Sequence, residues 1–250
     1  MKFGLIGHPI EHSLSPTLFK AAYDGKYQYD LIQTPDFEEA YRRFLEEYDG
    51  INVTAPFKEL AFRKADILSE ECCRIRATNL LIKTPEGIKA YNSDYLGVRL
   101  WLSEVITKIN GVPSVLIVGL GGAGKAAAEA AKSLGCKTIL MNRTQFSDEI
   151  RPLSDFATCF KEADIIIYNI PLAIPEFEDL HNITGAGRKI LLEANYKNPA
   201  FNKEVLSELQ QSGLNIEYHA GRSWLLLQAV TGYEIFTGEK PDLSRLTEQI

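Results

Sequence analysis

Residues 118–126, VGLGGAGKA, decide the fold. They follow the apolar run SVLIV (114–118) and lead into the alanine-rich GKAAAEAAKSLG (124–135). Gly119, Gly121 and Gly124 stand at the G-x-G-x-x-G spacing of a dinucleotide-binding turn, after a strand and before a helix. The first glycine makes the tight turn. The second lets a pyrophosphate approach the backbone, and the third lets helix and strand pack closely. The loop Gly119, Gly121, Gly122, Ala123, Gly124 therefore offers a dinucleotide the free N–H groups and partial positive charge of a helix N-terminus. An ordinary glycine-rich turn is the plainer reading, and the strand–loop–helix context weighs against it. Lys125 does not make a Walker loop, because the glycine spacing and the following Ser or Thr are missing.

The next strand, KTILM (137–141), ends at Asn142, Arg143 and Thr144. An enzyme for NAD usually has an acid here for the ribose 2′-hydroxyl. An acid repels a 2′-phosphate, whereas a guanidinium pairs with one in a bidentate way. Arg143 without an acid points to NADP(H), the competing reading being a solvated strand-end arginine. Further strands are expected in DIIIYNIP (164–171), KILLEAN (189–195) and NIEYHAG (215–221). Together they predict a Rossmann-type, doubly wound α/β domain over residues 99–222.

Upstream, short apolar runs alternate with amphipathic ones. KFGLIG (2–7), YQYDLIQT (27–34) and GINVT (50–54) read as strands. PTLFKAAYDG (16–25) reads as a helix, with Ser15 placed to cap it and Pro16 suited to its first turn. DFEEAYRRFLEEY (36–48) reads as a helix capped by Asp36, with Phe37, Tyr41, Phe44 and Leu45 on one face. LAFRKADIL (60–68) and SEECCRIRA (69–77) look helical, and NLLIKTPEGIKAYN (79–92) looks like a hairpin. The expectation is an N-terminal α/β domain, a parallel sheet with helices on its faces, over residues 1–98. A long helix, 95–109, leads to the break NGVP (110–113). The helical tail from Ser223 lies beyond the last Rossmann strand. Residues 223–250 are thus expected to pack back on the first domain and complete it.

Composition is ordinary for a soluble globular protein, with 45% hydrophobic and 24% charged residues. A net charge of −6 argues against nucleic acid and anionic membranes as partners. Cys72, Cys73, Cys136 and Cys159 lack metal-binding spacing, so reduced thiols in a cytoplasmic protein and no metal are expected. The N-terminus is too short in apolar residues for a signal peptide, and no run reaches membrane-spanning length.

A cofactor fold does not name a reaction. In the first domain, GHPIEHSLSP (7–16) sets Ser13 and Ser15 before a helix, where two hydroxyls and free N–H groups suit a carboxylate. Helix capping is the alternative for Ser15. NVTAPFK (52–58) carries Asn52, Thr54 and Lys58 to the carboxyl end of a strand; RATNL adds Asn79, and NSDYLG adds Asp94. Asp94 reads equally as a cap. The set suits a polyhydroxylated acid, with a lysine and an aspartate for proton transfer at a carbonyl oxygen.

These motifs resemble the shikimate dehydrogenase family nearly end to end. The pattern G-x-P-x-x-H-S-x-S-P is met by Gly7, Pro9, His12, Ser13, Ser15 and Pro16, and N-V-T-x-P-x-K by Asn52, Val53, Thr54, Pro56 and Lys58. The resemblance implies NADP(H)-dependent interconversion of 3-dehydroshikimate and shikimate, in chorismate and aromatic amino-acid biosynthesis. It implies Lys58 and Asp94 as the catalytic pair, with Ser13 and Ser15 on the substrate carboxylate. Thr54, Asn79, Asp94 and Gln228 fall on ring hydroxyls, Tyr196 near the active site, and Gly221 beside the nicotinamide. A monomer or homodimer with a small-molecule substrate is expected. The chain departs from the pattern at Arg76 and Leu80, where a Gly and a Thr are usual, and at Ser147, where a second basic residue is common. It departs again at Asn169–Ile174 along the cofactor, at Glu193 for an aspartate and at Trp224 for a methionine. The rival readings are an NAD-dependent quinate/shikimate dehydrogenase and a ligand-sensing protein without chemistry.

Overall fold

A computed structural model describes residues 1–249. The chain divides into two compact units: Met1–Gly97 with the segment from Leu226 onward, and Val98–Leu225.

The first unit contains β1 (Lys2–Gly7), α1 (Ser15–Ala22), β2 (Gln28–Gln33), α2 (Phe37–Glu47), β3 (Gly50–Val53), α3 (Lys58–Lys64), β4 (Ile67–Leu68), α4 (Glu70–Ile75), β5 (Leu80–Thr84) and β6 (Gly87–Tyr91), and α5 (Ser93–Val105) starts in it. Its six strands form one sheet in the order β2-β1-β3-β5-β6-β4. The expected parallel arrangement holds for β2, β1 and β3. β5 then runs antiparallel to β3 and pairs with β6 as a hairpin, so the sheet is mixed. The helix expected through Leu68 stops at Lys64, because Ile67 and Leu68 pair in register with Lys89 and Ala90. Asp36 caps α2 as expected, accepting from the amides of Glu38 and Glu39. Phe37, Tyr41 and Phe44 are buried, while Leu45 faces outward at 44% exposure.

Both faces of this sheet are covered. On one, α2 and its neighbours bury Phe37, Ala40 and Phe44 against Ile6, Ile32, Ile51 and Val53. On the other, Phe236 stacks on Phe3 at 4.9 Å and Tyr233 meets Phe19 edge-on at 4.8 Å. Tyr233 and Phe236 belong to the helix that ends at Thr237, so the C-terminal segment supplies part of this core. The Asp242 amide donates to the Ala22 carbonyl and so ties the C-terminal segment to the end of α1.

Arg76 ends α4 in the left-handed region, at φ +59°. That conformation costs a non-glycine residue roughly 1–2 kcal/mol. The glycine of the resembling pattern is thereby explained. Arg76→Gly is expected to stabilise the protein by up to about 1 kcal/mol, the relief being partly offset by the freer unfolded chain. Chemical denaturation checks this; a destabilised variant refutes it.

The second unit holds β7 (Ser114–Val118), α6 (Gly122–Ser133), β8 (Lys137–Met141), β9 (Ile150–Arg151), α7 (Phe156–Glu162), β10 (Ile165–Tyr168), β11 (Lys189–Glu193), α8 (Lys203–Gln211) and β12 (Ile216–His219). The chain closes with α9 (Gly221–Thr237) and α10 (Leu243–Thr247). All neighbours in the order β12-β11-β10-β7-β8-β9 are parallel. Parallel strands buried on both faces require continuous apolar runs. Val115 to Val118 and Ile165 to Tyr168 are accordingly all fully buried. The expected long helix starts earlier, at Ser93, and gives way to a 3₁₀ turn after Val105. No helix among the described residues is long and apolar enough to cross a membrane.

Candidate active site

In the first unit β1 lies between β2 and β3, so the chain leaves β1 to one side and returns on the other. Ligands of open α/β sheets bind at such a switch point, outside the carboxyl ends of the strands. Both substrate motifs start there, the serine loop after Gly7 and the lysine loop after Val53. The loops are joined: His8 N–H donates to the Ala55 carbonyl at 3.2 Å. A Cβ on Gly7 would lie 2.3 Å from Thr54 Cγ2, so Gly7 is what lets Thr54 pack over the strand end.

Lys58 is the first residue of α3 and Asp94 lies in the first turn of α5. Their side chains meet, with Lys58 Nζ donating to Asp94 Oδ2 at 2.5 Å. The side chains are only 20% and 10% exposed, which shields the pair from solvent screening. The N-cap position of α5 belongs to Asn92, whose Oδ1 accepts from the Tyr95 amide at 3.1 Å. This decides the reading of Asp94: its carboxylate is a partner of the lysine. A shielded ion pair gains little net stability, since desolvation cancels most of the attraction. Such pairs are therefore candidates for function.

The capping role expected of Ser15 is not what the helix uses. Ser15 is the first residue of α1, the cap position is Leu14, and no side chain caps it. Ser13 Oγ instead donates to Ser15 Oγ at 3.1 Å and accepts from the Ser15 amide at 3.3 Å. The two hydroxyls thus sit together at the helix N-terminus. Asn52 Nδ2 donates to the Asn79 carbonyl at 3.2 Å. The buried Asn79 amide grips Ser93, accepting from its N–H at 2.6 Å and donating to its Oγ at 3.0 Å. Asn79 therefore fixes the start of α5, one residue before Asp94. Gln228 lies beside the same turn: a Cβ on Gly97 would come within 2.6 Å of the Gln228 nitrogen. Ser13, Ser15, Asn52, Thr54, Lys58, Asn79, Asp94 and Gln228 all belong to the first unit.

The remaining candidates belong to the second unit. Gly119, at φ +86°, turns the chain after β7, at the switch point where β10 lies on one side and β8 on the other. A Cβ on Gly124 would meet the Gly119 carbonyl oxygen at 1.8 Å, so helix and turn touch there. A Cβ on Gly121, the cap position of the 12-residue α6, would meet nothing within 4 Å. Tight behind and open in front, the loop fits a pyrophosphate. Asn142 braces it, accepting from the Leu120 amide at 3.1 Å and donating to the Thr144 carbonyl at 2.9 Å. Arg143 and Thr144 are exposed. Tyr196 sits in the loop after β11, and burial raises its pKa. Gly221 starts α9 so close to β11 that a Cβ would lie 2.4 Å from the Ala194 oxygen. Glu193 is fully buried and accepts from the amides of Ala200 and Phe201 and from the Tyr218 hydroxyl. Its position thus anchors the Tyr196 loop, which accounts for a carboxylate there.

Residues 5–81 match the shikimate dehydrogenase substrate binding domain, and residues 100–182 match the NAD binding domain of D-isomer specific 2-hydroxyacid dehydrogenases. The chain is similar to shikimate dehydrogenases along nearly its whole length. It is 39% identical to the shikimate dehydrogenase (NADP(+)) of Thermotoga maritima over 58% of this chain. That match spans 56% of the relative's length, as do the others of the first curated group. The shikimate dehydrogenase (NADP(+)) of Archaeoglobus fulgidus is 29% identical across 98% of this chain and 96% of its own. The crystal structure of Thermus thermophilus shikimate 5-dehydrogenase, with NADP(H) and shikimate, superposes with a TM-score of 0.79 at 25% identity. It covers all of this chain and 98% of that one. Within this family fold, sequence reasoning passed over Asn92 as the cap of α5 and over Tyr29. The first had a local signal, a cap residue before a helix; the second had none.

Proposed function

We propose that the protein is a shikimate dehydrogenase that reversibly reduces 3-dehydroshikimate to shikimate with NADP(H), a step of chorismate biosynthesis. The observation that carries this is the 2.5 Å Lys58–Asp94 pair, its lysine loop joined by a hydrogen bond to the loop of the two serines at one sheet switch point. Ser13 and Ser15 bind the substrate carboxylate, aided by the free N–H groups of α1. Thr54, Asn79, Asp94 and Gln228 face the ring hydroxyls. When bound, NADPH supplies the hydride for the substrate C3 carbonyl. The Lys58 ammonium donates a proton to the developing alkoxide oxygen, and the lysine takes it back in the reverse direction. Asp94 orients the ammonium. The helix N-terminus behind Gly121 holds the pyrophosphate, with Arg143 and Thr144 on the 2′-phosphate. By the resemblance, Tyr196 is assigned to the substrate and Gly221 to the nicotinamide.

Ser147 supports a second reading. Without a second cation at this position the preference for the 2′-phosphate rests on Arg143, which leaves room for NAD use. Serine at position 15, rather than a bulkier threonine, favours shikimate over quinate. The test is absorbance at the NADPH band with shikimate or quinate, each with NADP and with NAD. Shikimate with NADP is expected to give the highest kcat/KM. No reduction with any pair sinks the proposal, and a preference for quinate and NAD replaces it with the second reading.

A further inference from the structure

We infer that Tyr29 is a positioning residue for the substrate-binding asparagines, its phenol fixing the Asn52 amide and through it Asn79. This rests on the shikimate reading above. Tyr29 Oη donates to Asn52 Oδ1 at 2.7 Å. The other amide atom, Asn52 Nδ2, donates to the Asn79 carbonyl, so the amide cannot be turned over without losing both bonds. The phenol has one hydrogen, and Asn52 takes it.

The Tyr29 phenol thus sets which way the Asn52 amide points. From Asn52 the connection continues through Asn79 to Ser93, the neighbour of Asp94. Packing holds the phenol still: its ring lies 4.7 Å from Phe19 and 6.4 Å from Tyr233. Tyr233 also donates to the Ser15 carbonyl at 3.3 Å. Burial pushes the Tyr29 phenol well above its ordinary pKa, which keeps it a neutral donor. Without the phenol, Asn52 Oδ1 loses its donor. Preorganisation of the Asn52–Asn79 pair is then lost before any substrate arrives.

The experiment compares wild type, Tyr29→Phe and Tyr23→Phe in steady state, well below their melting temperatures. Tyr23→Phe is the matched control. Its phenol donates to the Glu239 carbonyl at 3.0 Å, and its ring lies 5.2 Å from Phe19 in the same aromatic cluster. Tyr29→Phe is expected to raise the shikimate KM about 5–10-fold, the worth of one well-placed hydrogen bond, with kcat and the NADP KM within about twofold. Tyr23→Phe is expected to lower Tm and leave the shikimate KM unchanged. A shikimate KM within twofold of wild type in Tyr29→Phe overturns the inference and leaves the shikimate reading intact. So does an equal rise in both variants, which would reduce Tyr29 to general support. A wild type that does not turn over shikimate with either dinucleotide removes the reading and this inference with it.

Discussion

Lys58→Met is expected to lower kcat for shikimate oxidation by about 10²–10⁴-fold, with a much smaller change in the shikimate KM. Methionine keeps most of the stem and removes only the ammonium. Asp94 would then be left with little solvent and without its cation. Breaking a fully enclosed pair in this way costs about 3–5 kcal/mol, and the 20% exposure of Lys58 reduces that here. The double variant Lys58→Met/Asp94→Asn is therefore expected to regain stability and stay inactive. The combination separates chemistry from folding. Steady-state kinetics and chemical denaturation on the four proteins of the cycle check it. If Lys58→Met turns over at a near-normal rate, the lysine is not the proton carrier. If the double variant recovers turnover, the pair is a structural strut.

The parts legible in the sequence are those whose causes are local. VGLGGAGKA carries its own strand, turn and helix start, and Asp36 caps α2 within three residues of itself. The misreadings have causes elsewhere in the chain. LAFRKADIL has a helical apolar spacing, yet Ile67 and Leu68 become a strand because the β6 edge offers them partners at Lys89 and Ala90. Ser15 has the composition of a cap, and its neighbour Ser13 supplies a closer partner. Asp94 and Asn92 are both good caps; Asn92 takes the Tyr95 amide, and Asp94 takes the Lys58 ammonium from 36 residues away. Tyr29 reads as one more strand aromatic until Asn52, 23 residues on, is brought beside it. The departures Arg76 and Glu193 become intelligible in the same way. One sits in a left-handed turn and the other holds a loop.

Two alanine substitutions in the glycine loop are expected to fail in opposite ways. In Gly121→Ala the new methyl meets no protein atom within 4 Å, so stability is expected to stay within about 0.5 kcal/mol of wild type. The methyl stands in the space where the α6 N-terminus would receive the pyrophosphate, so NADP affinity is expected to fall tenfold or more. In Gly124→Ala the methyl would lie 1.8 Å from the Gly119 carbonyl oxygen and 2.9 Å from its carbon. Backbone on both sides cannot yield as a side chain can, so α6 must move off β7 or the turn must open. Overpacking of this kind costs about 1–3 kcal/mol, and the displaced loop is expected to lose the dinucleotide as well. Thermal denaturation with and without NADP reads both effects. Gly121→Ala should melt like wild type and gain little on adding NADP, whereas Gly124→Ala should melt lower from the start. A Gly121→Ala protein stabilised by NADP as strongly as wild type would show that the phosphates do not approach this loop. The dinucleotide reading of VGLGGAGKA, and the hydride donor with it, would then have to be sought on another surface.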